Sequence, residues 1–106
     1  MARAIVTVPP GVPRGEVFEV RAIIAHPMET GFRPGSDGRR LPRDVLRRFT
    51  CRYDGATVFA ADLYPAIAAN PYLAFHVLAT ASGPMTFTWE GDNGFAQTET
   101  AAIVVT

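Results

Sequence analysis

The chain has 106 residues, of which 48% are hydrophobic and 19% charged, and its ten basic residues, all arginine, balance ten acidic ones. This size fits one domain over residues 1–106 with one hydrophobic core. The neutral and rather apolar composition argues against a disordered chain, a nucleic-acid binder or a polybasic membrane surface. We therefore expect neither nucleic acid nor membrane among the partners.

Two strands are predicted in the amino-terminal part of the chain. The first runs from about Ala4 to Val8, where prolines stop it because they cannot donate to a β-ladder. The second covers Val17–Ile24, whose apolar residues alternate with Glu19 and Arg21 at a period of two. Such a strand has one buried face and one solvated face.

The stretch from His26 to Phe49 separates these strands from the later ones and carries a local surplus of positive charge. Its six arginines stand against three carboxylates, and three prolines with three glycines exclude a long helix or a continuous strand through most of it. A connection this long is uncommon in compact domains and is usually functional or disordered. We predict an ordered loop that His26 helps to anchor, with Asp44 capping one helical turn that ends at Arg47.

Turn signals divide the rest of the chain into five further strands. Asp54-Gly55 is a strong hairpin signal, because a type I′ turn requires positive φ at both positions. The other breaks are a proline-flanked loop, a Ser82–Pro84 turn and a Gly91–Gly94 turn. The predicted strands are Phe49–Tyr53, Thr57–Leu63, Tyr72–Ala79, Met85–Glu90 and Phe95–Val105.

This series of short strands with almost no helix predicts an all-β fold, an immunoglobulin-like antiparallel β-sandwich of about seven strands. A small barrel is the alternative. Trp89 lies on the penultimate strand, and the chain lacks the cysteine pair of antibody domains. The sandwich class tolerates both differences, since many such domains have no disulfide.

The search for catalytic and metal-binding residues yields little. Cys51 shares the parity of Phe49 and Tyr53, so it is predicted to lie on the core face, although an exposed and activated thiol would be a nucleophile. His26 and His76 are far apart in sequence and have no neighbouring ligand motif. We therefore expect no enzyme activity, no metal and no cofactor. A thiol enzyme using Cys51 and a metal-binding electron-transfer sandwich remain the chemical alternatives.

Surface properties point to binding instead. The predicted strands Thr57–Leu63 and Tyr72–Leu78 and the final Ile103–Val105 are apolar on both faces, whereas a sandwich needs only one apolar face per sheet. The excess predicts a partner interface, with ordinary scatter of apolar residues as the alternative. A self-associating adhesion module or a carbohydrate-binding sandwich would share this fold.

Several motifs together resemble one family. They are HPMETG at 26–31, Ser36-Asp37-Gly38, Leu41-Pro42-Arg43, the hairpin from Phe49 to Ala61, Ala69-Asn70-Pro71-Tyr72, and Phe87-Thr88-Trp89 ahead of Asp92 and Gly94. In combination, from about Val17 to the end, they resemble SoxZ, the Z subunit of the SoxYZ carrier complex of bacterial sulfur and thiosulfate oxidation.

The resemblance implies a non-catalytic immunoglobulin-like subunit that forms a heterodimer with a Y subunit. The Y subunit carries the substrate on a cysteine in a flexible arm, and other Sox enzymes dock on the complex transiently. Cys51 is not that cysteine, because it lies within a strand. The resemblance also implies a periplasmic location reached by co-export with the partner, since nothing in this sequence looks like a signal peptide or approaches the ~20 apolar residues of a transmembrane helix.

These considerations give a set of expected partner-binding residues. They lie in irregular or doubly apolar stretches within the motifs that carry the resemblance, and the arginines among them are also expected to attract anionic intermediates. The expected interface or docking residues are Met28, Arg33, Arg39, Arg40, Ile67, Asn70 and Tyr72. Without its partner, the chain is expected to be able to form a homo-oligomer.

Overall fold

The computed structural model of the protein describes residues 2–106 and confirms the predicted immunoglobulin-like β-sandwich of seven strands. Two antiparallel sheets face each other, one with the strand order β1-β2-β5 and one with the order β4-β3-β6-β7. Within the described residues no helix is long and apolar enough to cross a membrane. The strands are β1 Ala4–Thr7, β2 Val17–Ile24, β3 Leu46–Tyr53, β4 Ala56–Asp62, β5 Tyr72–Leu78, β6 Gly83–Gly91 and β7 Ala96–Ile103, and one 3-10 turn at Asp92–Gly94 joins the last two.

Strand β2 has the bounds that its alternating pattern predicts, and it lies at the centre of the three-stranded sheet. Phe18, Val20 and Ile24 are at most 4% exposed on the inner face. The opposite face of β2 carries Glu19 and Arg21, which form an ion pair of 2.6 Å. The register is set because a shift by one residue would exchange these two faces.

The four-stranded sheet contains the predicted hairpin between β3 and β4. Asp54 and Gly55 both have positive φ, of 50° and 84°, as a type I′ turn requires. Phe49, Cys51 and Tyr53 point into the core from β3, and they pair across the sheet with the inward-facing residues of β6. The predicted parity of this strand is therefore confirmed.

Phe49 lies at the centre of an aromatic core that joins the two sheets. Its ring centroid is 5.2 Å from that of Trp89 and 6.0 Å from that of Phe75. Phe59 and Phe75 stack with centroids 4.2 Å apart, so that β4 of one sheet contacts β5 of the other. Aromatic pairs at such separations contribute about 0.5–1.5 kcal/mol each beyond the burial of their area.

The edges of the three-stranded sheet differ in how well they are protected. Strand β1 is short and is followed by Pro9 and Pro10, which cannot donate to an added strand. Strand β5 pairs only with β2 and contains neither a proline nor an aspartate, glutamate, lysine or arginine. One edge of this sheet is therefore open and uncharged.

Two local predictions are wrong. Asp44 caps no helical turn; it forms an antiparallel bridge with Glu29, and β3 begins directly afterwards at Leu46. The predicted Ser82–Pro84 turn is too long, because Gly83 and Pro84 already belong to β6 and pair with the end of β7. In both places cross-strand pairing overrides the local turn signal.

The Tyr53 hydroxyl ties β3 to the segment before β6, which gives a test of the fold. It accepts hydrogen bonds from the backbone N–H groups of Thr80, at 3.2 Å, and Ala81, at 3.0 Å, and donates to the Ala81 carbonyl. Tyr53→Phe leaves these groups without their partner and should lower the free energy of unfolding by about 1–2 kcal/mol in urea titrations. Tyr64→Phe, at a residue that is 64% exposed, is the control. Equal effects of both substitutions would contradict this role.

Candidate partner-binding site

The segment 25–45, here called the arginine-rich loop, is ordered by backbone hydrogen bonds. Glu29 and Asp44 exchange two N–H to O bonds of 2.7 Å, and the N–H of Leu41 donates to the carbonyl of Arg33 at 2.8 Å. The loop therefore doubles back on itself like a short hairpin. This order agrees with the prediction made from its sequence.

His26 fastens the beginning of the loop to the segment before β5. The N–H of Asn70 donates to the His26 carbonyl at 2.7 Å, and the N–H of His26 donates to Oδ1 of Asn70 at 3.0 Å. Asn70 adopts φ 55°, a left-handed conformation that asparagine tolerates better than most residues. We call this reciprocal pair the His26–Asn70 clamp. It confirms that His26 anchors the loop.

The His26 ring is 4% exposed and holds the next turn of the loop. Its Nδ1 accepts a hydrogen bond from the N–H of Met28 at 3.0 Å, so the neutral ring carries its proton on Nε2. That Nε2 has no hydrogen-bond partner in the described part of the chain and lies 3.6 Å from Oδ1 of Asp44. The ring packs edge-on against Phe95, with centroids 5.4 Å apart.

Met28 does not lie on the surface where a partner-binding residue was expected. Its side chain is 5% exposed, and its sulfur accepts the N–H of Leu46 at 3.2 Å. The backbone at Met28 has φ 50°, which turns the side chain into the core. The expected contact of Met28 with a partner is therefore replaced by a structural role in fixing the loop.

Asp92 fixes the other end of the loop. Its Oδ2 accepts hydrogen bonds from Nε of Arg43 at 2.8 Å and from the N–H of Val45 at 3.2 Å. The hydrogen bond from Arg43, reinforced by that from Val45, holds the pKa of the Asp92 carboxyl below its ordinary value. Both ends of the loop are thus attached to the sandwich.

Ion pairs neutralise most of the arginines of this region. Arg33 pairs with Glu29 at 2.7 Å, and Arg43, Arg47 and Arg48 also have carboxylate partners. Arg39 and Arg40 make no ion pair with any residue in 2–106, and both are exposed. The guanidinium of Arg40 lies 5.7 Å from the ring centroid of Phe32, which is 73% exposed. The arginines without an ion pair therefore lie at the tip of the loop, beside an exposed aromatic ring and near the carboxylate of Asp37, which accepts the N–H of Arg39 at 3.0 Å.

The outer face of the three-stranded sheet is the second candidate surface. Ten large hydrophobic side chains are exposed within residues 2–106, and half of them lie on this face: Ile5, Val17, Ile23, Tyr72 and Leu78. Cross-strand pairing places Ile5, Ile23 and Tyr72 in one row at one end, while Val17 and Leu78 form a pair at the other. The Glu19–Arg21 ion pair lies between them.

The outer face of the four-stranded sheet has the opposite character. Thr50, Thr88 and Thr98 form one cross-strand row, and the hydroxyls of Thr88 and Thr98 are 3.1 Å apart. A second row places Arg52 beside Thr86 and Thr100. The two sheets therefore differ sharply in the surface that they present to solvent, and only the three-stranded sheet has an apolar one.

The structure brings together some of the expected partner-binding residues. Asn70 and Tyr72 lie at one end of the apolar outer face, and Ile67 is 38% exposed in the loop that precedes them. Arg33, Arg39 and Arg40 belong to the arginine-rich loop, which the His26–Asn70 clamp joins to this end. Ile5 and Ile23 were missed, because only the registers of β1 with β2 and of β2 with β5 reveal that they share a row with Tyr72.

Cys51 is fully buried, as its parity predicts. Burial raises the pKa of its thiol to about 11, so the nucleophilic thiolate is scarce at neutral pH. In the described part of the chain, no group of three or more His, Cys, Asp and Glu residues is arranged to hold a metal ion. The geometry thus supports a binding surface better than a reaction centre.

Comparisons with known proteins bear on the family and the fold. The sequence model of the family described as "Sulphur oxidation protein SoxZ" matches residues 6–102. No curated protein sequence matches the chain significantly.

Solved structures with the same fold are distant in sequence. The sulfur carrier protein SoxY from Chlorobium limicola f thiosulfatophilum superposes with a TM-score of 0.67 at 11% identity, covering 97% of this chain and 78% of that one. A superoxide reductase (neelaredoxin) from Ignicoccus hospitalis gives a TM-score of 0.75 at 15% identity, covering 99% of this chain and 82% of that one. At these identities the likeness concerns the fold alone.

Cys51 gives a direct test of whether the thiol is available for chemistry. Because it is buried and its pKa is raised, iodoacetamide at pH 8 should leave the folded protein unmodified and alkylate it fully in urea. Intact mass spectrometry measures both outcomes. Rapid alkylation of the folded protein would revive the thiol-enzyme alternative.

The clamp gives a second test. Asn70→Ala removes the acceptor of the His26 N–H and places alanine at a positive φ, so it should destabilise the protein by about 1–3 kcal/mol and speed amide hydrogen exchange in the arginine-rich loop. Asp54→Ala, at an exposed residue of the β3–β4 turn that also has positive φ and makes no hydrogen bond to the loop, is the matched control. Exchange in the loop that rises equally in both variants would count against the clamp.

Proposed function

The chain belongs to the SoxZ family of sulphur oxidation proteins, and we propose that it is the non-catalytic subunit of a SoxYZ sulfur carrier complex. In this complex it binds a Y subunit whose cysteine arm carries the sulfur substrate. In this proposal the chain itself supplies no catalytic or sulfur-carrying residue, and Cys51 takes no part because it is buried.

The observation that carries the proposal is the apolar outer face of the three-stranded sheet. A sandwich folds by burying one face of each sheet, so the exposed Ile5, Ile23 and Tyr72 on the opposite face contribute nothing to its core. Exposed apolar side chains that lie side by side, as these three do, mark interaction sites on soluble proteins. In a permanent heterodimer the Y subunit covers this face, with a total buried area of at least ~1,200 Å².

The arginine-rich loop is the proposed docking element for the other Sox enzymes. Its free cations, Arg39 and Arg40, lie beside Phe32 on a segment that is already ordered, so little conformational entropy is lost when a partner binds. Arginine and aromatic residues are typical of interface hot spots. The same cations would attract enzyme surfaces, or sulfur intermediates, that carry negative charge.

The setting of this activity is part of the proposal. The complex works in the periplasm, and this chain reaches it by export together with its Y subunit. Tethering the substrate arm beside a fixed docking surface raises its effective concentration at each enzyme that acts on it.

A sandwich that associates with itself is the second candidate function. The same apolar face and the open edge of β5 support it, because both could pair with a second copy of the chain. In that case the chain would be a homo-oligomeric binding or adhesion module.

Co-expression with a Y-type protein tests the proposal. Size exclusion with light scattering should show a 1:1 complex, and mass spectrometry after incubation with thiosulfate and the other Sox enzymes should find the sulfur on the partner's cysteine. Cys51→Ser should change neither result, because the thiol is buried. Sulfur on Cys51, or the absence of any complex, would contradict the proposal.

A negative charge introduced on one outer face or the other tests which of the two faces binds the Y subunit. Leu78→Glu, on the apolar face, should weaken binding of the Y subunit at least about tenfold, equivalent to 1.4 kcal/mol. Thr98→Glu places the same charge on the polar face of the other sheet and is the control. If Thr98→Glu has the larger effect, the partner covers the four-stranded sheet.

A further inference from the structure

A pocket of about 220 Å³ opens at one end of the apolar outer face, where β1 begins and β2 ends. Its lining residues are Arg3, Ile5, Ile23, Ala25 and Asn70. The register explains the arrangement: Ile5 pairs with Ile23, and the N–H of Ala25 donates to the carbonyl of Arg3 at 2.8 Å. The side chains of neighbouring rows therefore enclose one depression.

The size of the pocket restricts what can occupy it. Sites for cofactors and drug-sized ligands are usually about 300–1,000 Å³, so this pocket is small for such a molecule. Ile5, Ile23 and Ala25 make its wall apolar. A single apolar side chain fits this volume and this lining, and such inserted anchors carry much of the energy of protein interfaces.

The polar groups on the rim restrict the occupant further, because they are donors. Arg3 makes no ion pair with any residue in the described part of the chain and is exposed. Oδ1 of Asn70 accepts the N–H of His26, and its Nδ2, which is a donor, makes no hydrogen bond to any residue in 2–106. A partner group that pairs with these donors must accept hydrogen bonds, and the positive charge of Arg3 favours a negatively charged group.

We propose that this pocket receives one apolar anchor side chain of the Y subunit. An acidic residue directly before or after the anchor in the Y sequence pairs with Arg3. The proposal rests on the proposed function, and it specifies the contact that fixes the partner on the apolar outer face. Tyr72, which is 57% exposed and shares a row with Ile5 and Ile23, makes the pocket continuous with that face.

Asn70 belongs both to the His26–Asn70 clamp and to the lining of the pocket. It holds His26 with its backbone N–H and its Oδ1. An anchor bound here therefore lies next to the attachment point of the arginine-rich loop. This places the Y subunit and the proposed docking element for enzymes side by side.

Filling the pocket separates anchor insertion from general apolar adhesion. Ala25→Phe occupies the pocket but increases the apolar surface, so general adhesion would stay unchanged or become tighter. Anchor insertion predicts instead that the dissociation constant for the Y subunit, measured by calorimetry, rises at least about tenfold, equivalent to 1.4 kcal/mol. Thr98→Phe, on the opposite sheet, is the matched control, and thermal unfolding verifies that both variants are folded.

Substitutions of Arg3 test whether binding of the Y subunit requires a positive charge at the rim of the pocket. Arg3→Glu should weaken binding of the Y subunit at least about tenfold. Arg3→Lys should retain most of the affinity, because the pairing needs a cation. Binding that survives both Ala25→Phe and Arg3→Glu would overturn this inference and leave the proposed function intact.

Two further outcomes count against the inference. If the wild-type chain does not bind the Y subunit at all, the inference and the proposed function fall together. If the isolated chain is a dimer by light scattering and Ala25→Phe makes it monomeric without affecting the Y subunit, the pocket receives a second copy of this chain and the proposed occupant is wrong.

Discussion

The aromatic core around Phe49 is the constraint on which the other features depend. It joins the two sheets because Phe75 of the three-stranded sheet contacts Phe49 and Phe59 of the other sheet, and it so determines which face of each strand is buried. Because side chains alternate along a strand, every residue opposite to this core must face outward. The apolar character of the outer face of the three-stranded sheet is therefore a property that folding of the isolated chain does not require. The burial of this face by another protein is its simplest physical explanation.

The His26–Asn70 clamp connects the candidate surfaces. Asn70 precedes β5, where Tyr72 contributes to the apolar outer face, and it holds the beginning of the arginine-rich loop through His26. Loops of this length are rarely rigid, but this one is attached at both ends, since Asp92 binds Arg43 and the N–H of Val45 at the other. A subunit bound to the sheet and an enzyme bound to the loop would therefore contact parts of the chain that hydrogen bonds connect directly.

Local patterns predicted those features that depend on one strand or one turn. The alternation of β2, the hairpin at Asp54-Gly55 and the burial of Cys51 each follow from neighbouring residues. The burial of Met28 could not be predicted, because it depends on a positive φ that methionine rarely adopts and on an acceptor supplied by His26. The pocket could not be predicted either, because it forms only when the register places β1 residues beside β2 residues. Pairing of Asp44 with Glu29 shows the same dependence on distant contacts.

The open edge of β5 has a consequence for how a cell can synthesise this protein without aggregation. The seven residues of β5 include no proline, aspartate, glutamate, lysine or arginine, so their outward backbone groups can pair with another strand, and apolar side chains lie on the adjoining face. Edge strands without such protection are a common starting point for aggregation. In the proposed complex the Y subunit covers the face beside this edge, so a chain made in excess of the Y subunit would leave both exposed to such pairing. The architecture of the sheet would then favour balanced synthesis of the two proposed subunits.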